Sequence, residues 1–76
     1  MERAFFKFVY SLIETAMKYN CSLNIEEFVG YVTIHTDCDV ITLTMNDGYV
    51  SEIRYDGTHL ILDEDMQHEI TKLMKE

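Results

Sequence analysis

Residues 3–19 sort their side chains by polarity around a helical wheel. At about 100° per residue, Phe8, Tyr19, Leu12, Phe5, Ala16, Val9, Ile13, Phe6, Met17 and Tyr10 fall in one arc. That arc spans roughly 200°, where an ordinary surface helix needs a stripe of roughly 100°. Arg3, Lys7, Ser11, Glu14, Thr15 and Lys18 take the other side. The pattern predicts a long amphipathic helix covered on more than one flank, with Phe5, Val9, Leu12 and Ile13 in the core. Asn20 is its expected stop.

The period then changes from 3.6 to two. Cys21 to Glu27 reads as a connection, and residues 28–36 as a β-branched, aromatic first strand. Phe28, Val32 and Ile34 are expected to face the core, and Tyr31, Thr33 and His35 the other side. Asp37-Cys38-Asp39 is a turn. Ile41, Leu43 and Met45 alternate with Thr42 and Thr44 in a second strand, 40–45. Asn46-Asp47-Gly48 and Asp56-Gly57 are hairpin signals, because Asn, Asp and Gly tolerate the positive φ of tight turns. They bound a third strand, 49–55, with Ser51, Ile53 and Tyr55 on one face and Val50, Glu52 and Arg54 on the other. A short fourth strand is 58–62. Asp63 caps a second helix, 64–75, whose Met66, Ile70, Leu73 and Met74 form an apolar stripe. Its acids Glu64 and Asp65 open it and Lys72 and Lys75 close it, as the helix dipole favours.

The expected fold is α+β, in the order α-β-β-β-β-α: a four-stranded antiparallel meander with both helices on one face. The far face, with Tyr31, Thr33, His35, Val40, Thr42, Thr44, Val50, Glu52 and Arg54, is then either solvated or an interface.

Seventy-six residues make one small domain. A chain of this size buries only about 60% of its unfolded surface, so the core is thin and a second copy or a partner would complete it. An apolar fraction of 47% argues against disorder. Lys7 and Glu14 interrupt the first apolar run, and no run reaches 18 apolar residues, so a cytoplasmic chain with no signal peptide and no membrane partner is expected. Cys21 and Cys38 form no CxxC and read as reduced thiols.

Candidate chemistry is sparse. His35, Asp37, Cys38 and Asp39 include zinc-ligand types, but successive strand residues face opposite ways, so Cys38 points away from His35 and Asp37, and no second ligand pair follows. His59, Asp63 and His68 match no ligand spacing. Cys21 or Cys38 with a histidine would need a nucleophile context that the sequence lacks. There is no phosphate-binding glycine motif. A non-enzymatic chain without cofactor or metal is expected, with metal- or cysteine-dependent catalysis on His35, Cys38 and Asp39 as the weakest alternative.

Charge is the informative feature. Fourteen acids face six bases, a formal charge of −8. Between Tyr19 and Thr71 Arg54 alone is basic, against eleven acids. Turns of a meander alternate between sheet ends, which is expected to gather Glu26, Glu27, Asp47, Asp63, Glu64 and Asp65 at one end and Asp37, Asp39 and Asp56 at the other. A cluster of one sign repels itself, so it serves either solubility or a partner. Phosphate would be repelled, which disfavours direct nucleic-acid binding. A basic protein that itself binds nucleic acid is the expected partner. In size, acidity and lack of catalytic motifs the chain is similar in kind to small phage-encoded inhibitors, including nucleic-acid mimics and anti-CRISPR proteins. That likeness, which covers composition only, implies an inhibitor seated on a basic surface; the charge pattern makes the six acids its expected contacts. The alternative is a homodimeric interaction or scaffold module.

Overall fold

The computed structural model describes residues 2–19 and 22–75. Asn20, the expected helix stop, and Cys21 lie outside the described residues. Helix α1 is Glu2–Tyr19. Five strands follow: β1 Asn24–Phe28, β2 Tyr31–His35, β3 Val40–Asn46, β4 Tyr49–Tyr55 and β5 Thr58–Ile61. Helix α2 is Glu64–Lys75. The strands form one antiparallel sheet in sequential order, β1 to β5.

The sheet thus has five strands where four were expected. Gly30, at φ 86°, breaks the expected first strand after Val29. L-residues rarely adopt this conformation, and it turns the chain back on itself. The residues N-terminal to the break, Asn-Ile-Glu-Glu-Phe, pair with β2 as an edge strand. All five are exposed, so β1 carries no buried apolar set to announce it. Phe28, expected in the core, pairs with Tyr31 on the far face and is 48% exposed.

Residues opposite one another on neighbouring strands share a face. Two rows face the helices: Ile25–Ile34–Ile41–Tyr55–Thr58 and Glu27–Val32–Leu43–Ile53–Leu60. The alternation of β4 is reset by a bulge. Thr44 pairs with Glu52 and Met45 with Val50, which leaves Ser51 as the extra residue. The Ser51 hydroxyl donates to the Thr44 carbonyl at 3.3 Å. Val50, expected on the far face, therefore turns inward and is fully buried.

Both helices lie on the inner face. Phe6, Val9 and Ile13 of α1 and Met66, Ile70 and Leu73 of α2 join Ile34, Ile41, Leu43, Val50 and Ile53 in one core. Phe5 and Leu12, expected at its centre, are only half-buried flanks of it. Phe5 shares a cleft with Thr58 and Leu60, and Leu12 one with Thr36 and Asp39. Met74 and Lys75 share one with Ile25 and Glu27. Each helix thus starts over the β5 side of the sheet and advances toward the β1 side. Among the described residues no helix is long and apolar enough to cross a membrane.

One hydrogen bond sets the position of α2. The buried Val50 N–H donates to the Thr71 hydroxyl at 2.9 Å. Thr71→Val keeps the shape but leaves that N–H unpaired, and should cost about 1–3 kcal/mol in chemical denaturation. Ile13→Ala should cost about 2–5 kcal/mol, and Leu12→Ala clearly less, because its side chain is already partly in water. Equal losses at the two positions would show that α1 is rotated about its axis.

Candidate functional site

The six acids expected to form one patch are divided by the sheet. Asp63, Glu64 and Asp65 follow β5. The Asp63 carboxylate accepts the Met66 N–H at 2.8 Å, so it caps α2. Glu69, one helical turn after Asp65, joins this shoulder, and so does a base from the other end of the chain. Arg3 donates to Glu69 at 2.8 Å. That hydrogen bond chiefly, with the charges of Glu69, Asp63 and Asp65, pushes the Arg3 pKa up. The shoulder therefore holds four acids and one arginine.

Glu26 and Glu27 sit on β1, at the opposite edge of the sheet. Four strand spacings, about 19 Å, separate them from β5. That is about twice the screening length at physiological salt, so the two groups act on a partner separately. They also point apart. Glu26 pairs with Thr33 on the far face, and Glu27 with Val32 on the helix face. The Glu26 carboxylate lies 3.4 Å from the His35 ring. Asp47 stands between the two groups in the β3–β4 turn, at φ 52°. Next to it the Tyr49 ring stacks on His68 at 5.3 Å and lies 5.8 Å from the Lys75 ammonium.

The opposite end of the sheet collects Asp37, Asp39 and Asp56, as expected. Thr36 organises its turn, its hydroxyl accepting the N–H groups of Cys38 and Asp39 at 3.3 and 3.0 Å. The Tyr55 hydroxyl donates to Asp39 at 2.6 Å. This bond, then burial, then the negative charges of Asp39, Asp56 and Cys38, push the Tyr55 pKa up to about 12.

The candidate ligand sets are dispersed. His35 turns to Glu26, Asp39 to Tyr55, His59 to Glu52 and His68 to Tyr49, while Asp63 caps a helix. Among the described residues no group of three or more His, Cys, Asp and Glu side chains is arranged to hold a metal ion. Cys38 is an exposed free thiol.

The far face carries two complete rows: Glu26–Thr33–Thr42–Arg54–His59 and Phe28–Tyr31–Thr44–Glu52–Ile61. Phe28 and Tyr31 stack at 4.8 Å, and Ile61 is 70% exposed. The residues that sequence reasoning missed here are those of the two edge strands: Glu26, Phe28, His59 and Ile61. Arg3 on the acidic shoulder was also missed, and sequence distance hides it. Glu69 was legible from its four-residue spacing to Asp65. Compared with protein-family models, characterised proteins and solved structures, the chain matches none.

The Tyr55–Asp39 bond predicts a pH effect. A tyrosine whose folded pKa lies above its ordinary value of 10.0 stabilises the fold below about pH 10, and that contribution is lost as pH rises toward 12. The ultraviolet titration that disappears in Tyr55→Phe should lie near pH 12. Asp39→Asn should move it back toward 10.

Proposed function

We propose that this is a non-enzymatic binding protein that docks its acidic α2 shoulder on a basic surface of a partner protein, of the kind that otherwise holds nucleic-acid phosphates. The observation that carries the reading is the uncompensated charge of the shoulder. Glu64 and Asp65 form no ion pair among the described residues, while Arg3 is engaged by Glu69. Exposed carboxylates at a helix start are held apart on a rigid element, and their shared sign speeds encounter with a basic groove. The separation from β1 narrows the contact set to Asp63, Glu64, Asp65 and neighbouring Asp47. Glu26 and Glu27 become a second contact only for a partner that spans the width of the sheet. The reaction the protein would bring about is displacement: its carboxylates occupy sites that phosphates would fill.

A second reading is favoured by a separate observation. The far sheet face is uncovered and carries Phe28, Tyr31, Val40 and Ile61, all exposed. That face makes the protein a homodimeric interaction module, with its acids keeping it soluble.

Two variants separate the shoulder from the edge. Glu64→Gln, Asp65→Asn and Asp47→Asn together keep shape and capping while removing three charges. Glu26→Gln with Glu27→Gln removes two at the other edge. With immobilised protein as bait in lysate from the cell that makes it, wild type should retain a nucleic-acid-binding protein that duplex DNA displaces. The shoulder variant should associate more slowly and with a flatter salt dependence. The edge variant should behave nearly as wild type. If the shoulder variant binds the captured protein as fast and as tightly as wild type at low salt, the acids serve solubility alone.

A further inference from the structure

The open face of the sheet is complementary to itself. Its two rows run across all five strands, and each changes character from one edge to the other. One row begins with an acid, Glu26, and ends in Arg54 and His59. The other begins with an aromatic, Phe28, and ends in an aliphatic, Ile61. The centre of both rows is threonine, Thr42 and Thr44, with small side chains that let two sheets approach.

We infer that this face binds a second copy of the chain, sheet against sheet, about a two-fold axis that runs along β3. The inference rests on the dimer reading and adds its geometry. A two-fold in that direction lays β1 of each copy over β5 of the other and keeps each row over itself. Glu26 then meets the second copy's His59, and Phe28 meets its Ile61. Thr33 meets its Arg54, and Thr42 and Thr44 meet their own equivalents. Each end of a row finds its chemical complement twice, as an isologous contact requires.

Two observations favour this occupant. First, charge. The chain carries −8 with its histidines neutral, and a copy approaching the acidic shoulder meets repulsion. On this face Glu26 lies against His35 and Glu52 against His59, and Arg54 forms no ion pair among the described residues. It is less costly to bring against itself than the shoulder. Second, area. Five strands at about 4.8 Å by five residues at about 3.3 Å give roughly 400 Å² in plan per copy. Side-chain relief raises this toward 500 Å², so the pair buries close to the ~1,000 Å² at which a specific interface becomes stable. The dimer is therefore reversible, forming at micromolar concentration. Edge-to-edge pairing is disfavoured, because β1 is short and carries Glu26 and Glu27 and β5 is only four residues long.

Sedimentation of the full chain from 1 to 200 μM reads the dimer, and cross-linking reads its geometry. Wild type should pass from monomer to dimer with concentration. Raising salt should strengthen the dimer, since screening relieves the mutual repulsion of two acidic chains. Ile61→Glu should weaken dimerisation at least tenfold without altering the thermal midpoint, because this side chain is already in water in the monomer. Val29→Glu, at a fully exposed turn beside the face, is the control and should leave it unchanged. With both native cysteines replaced by serine, Thr42→Cys should couple to itself through a short bis-maleimide. Phe28→Cys should couple only when mixed with Ile61→Cys. Monomer at every concentration and salt would overturn the dimer reading and this geometry together. A dimer that survives Ile61→Glu, or one in which Phe28→Cys couples to itself and Thr42→Cys does not, would overturn the geometry while leaving the dimer reading in place.

Discussion

The hydrogen bond from Val50 to Thr71 is the constraint on which the arrangement of charge depends. A bulge at Ser51 turns Val50 into the core and presents its N–H to the helix side of the sheet. A buried N–H without a partner costs about as much as any single packing defect, so something must meet it. Thr71 does, from the penultimate turn of α2. Once that residue is pinned over β4, the rest of α2 has one course. Its start returns to the end of β5 and its last residues reach Ile25 and Glu27 at β1. The acids of its first turn are thereby assigned to one edge of the sheet and the lysines of its last turns to the middle and the other edge.

That course decides which electrostatic argument holds. Read along the chain, the acids between Glu26 and Glu69 look like one field. In space they divide into a shoulder at α2, a pair on β1 and a trio in the turns at the opposite end, with Asp47 in the β3–β4 turn and Glu52 on β4. Lys72 and Lys75 stand beside Tyr49 and His68 between the first two. The separation exceeds the screening length, so total charge sets solubility and long-range steering while each group sets its own contacts. Arg3 shows the same logic at short range. It sits sixty-six residues from Glu69 in the chain and beside it in the fold.

Legibility in the sequence followed burial. Both helices, the Asp63 cap of α2, the two Asp-Gly hairpins and the inner positions of β2 and β3 carry strong apolar periodicity or obligatory turn residues, and all appear where those signals place them. β1 was hidden because an edge strand exposed on both faces needs no alternation, and because Val29-Gly30 lies inside a β-branched run that reads as continuous. Val50 was misplaced because a period-two count cannot foresee an extra residue in one strand. Leu12 and Phe5 were overrated because a 200° apolar arc says how much of a helix is covered, not which part lies deepest. The shoulder acids were legible as a capping group, but their neighbours were not, since strand order and a long-range arginine decide those.

The open face follows from the same economy of core. Two helices suffice to cover one side of a sheet this small, and most of the wide apolar arc of α1 serves it, with Phe6, Val9 and Ile13 against the sheet, flanking residues beside it, and Phe8 and Tyr19 left exposed. Among the described residues no third element covers the other side. A solvated antiparallel face is ordinary when it is threonine and charge alone. This one places its aromatic pair at one edge and its bare isoleucine at the other, with Glu26 on β1 and Arg54 and His59 on β4 and β5. Solvent imposes no such polarity across a sheet, whereas a two-fold contact does, because it brings opposite edges together. On the two readings proposed above, the far face and the acidic shoulder divide the surface between them: one receives a second copy, and the other carries the excess charge away from that contact, toward a partner of opposite sign.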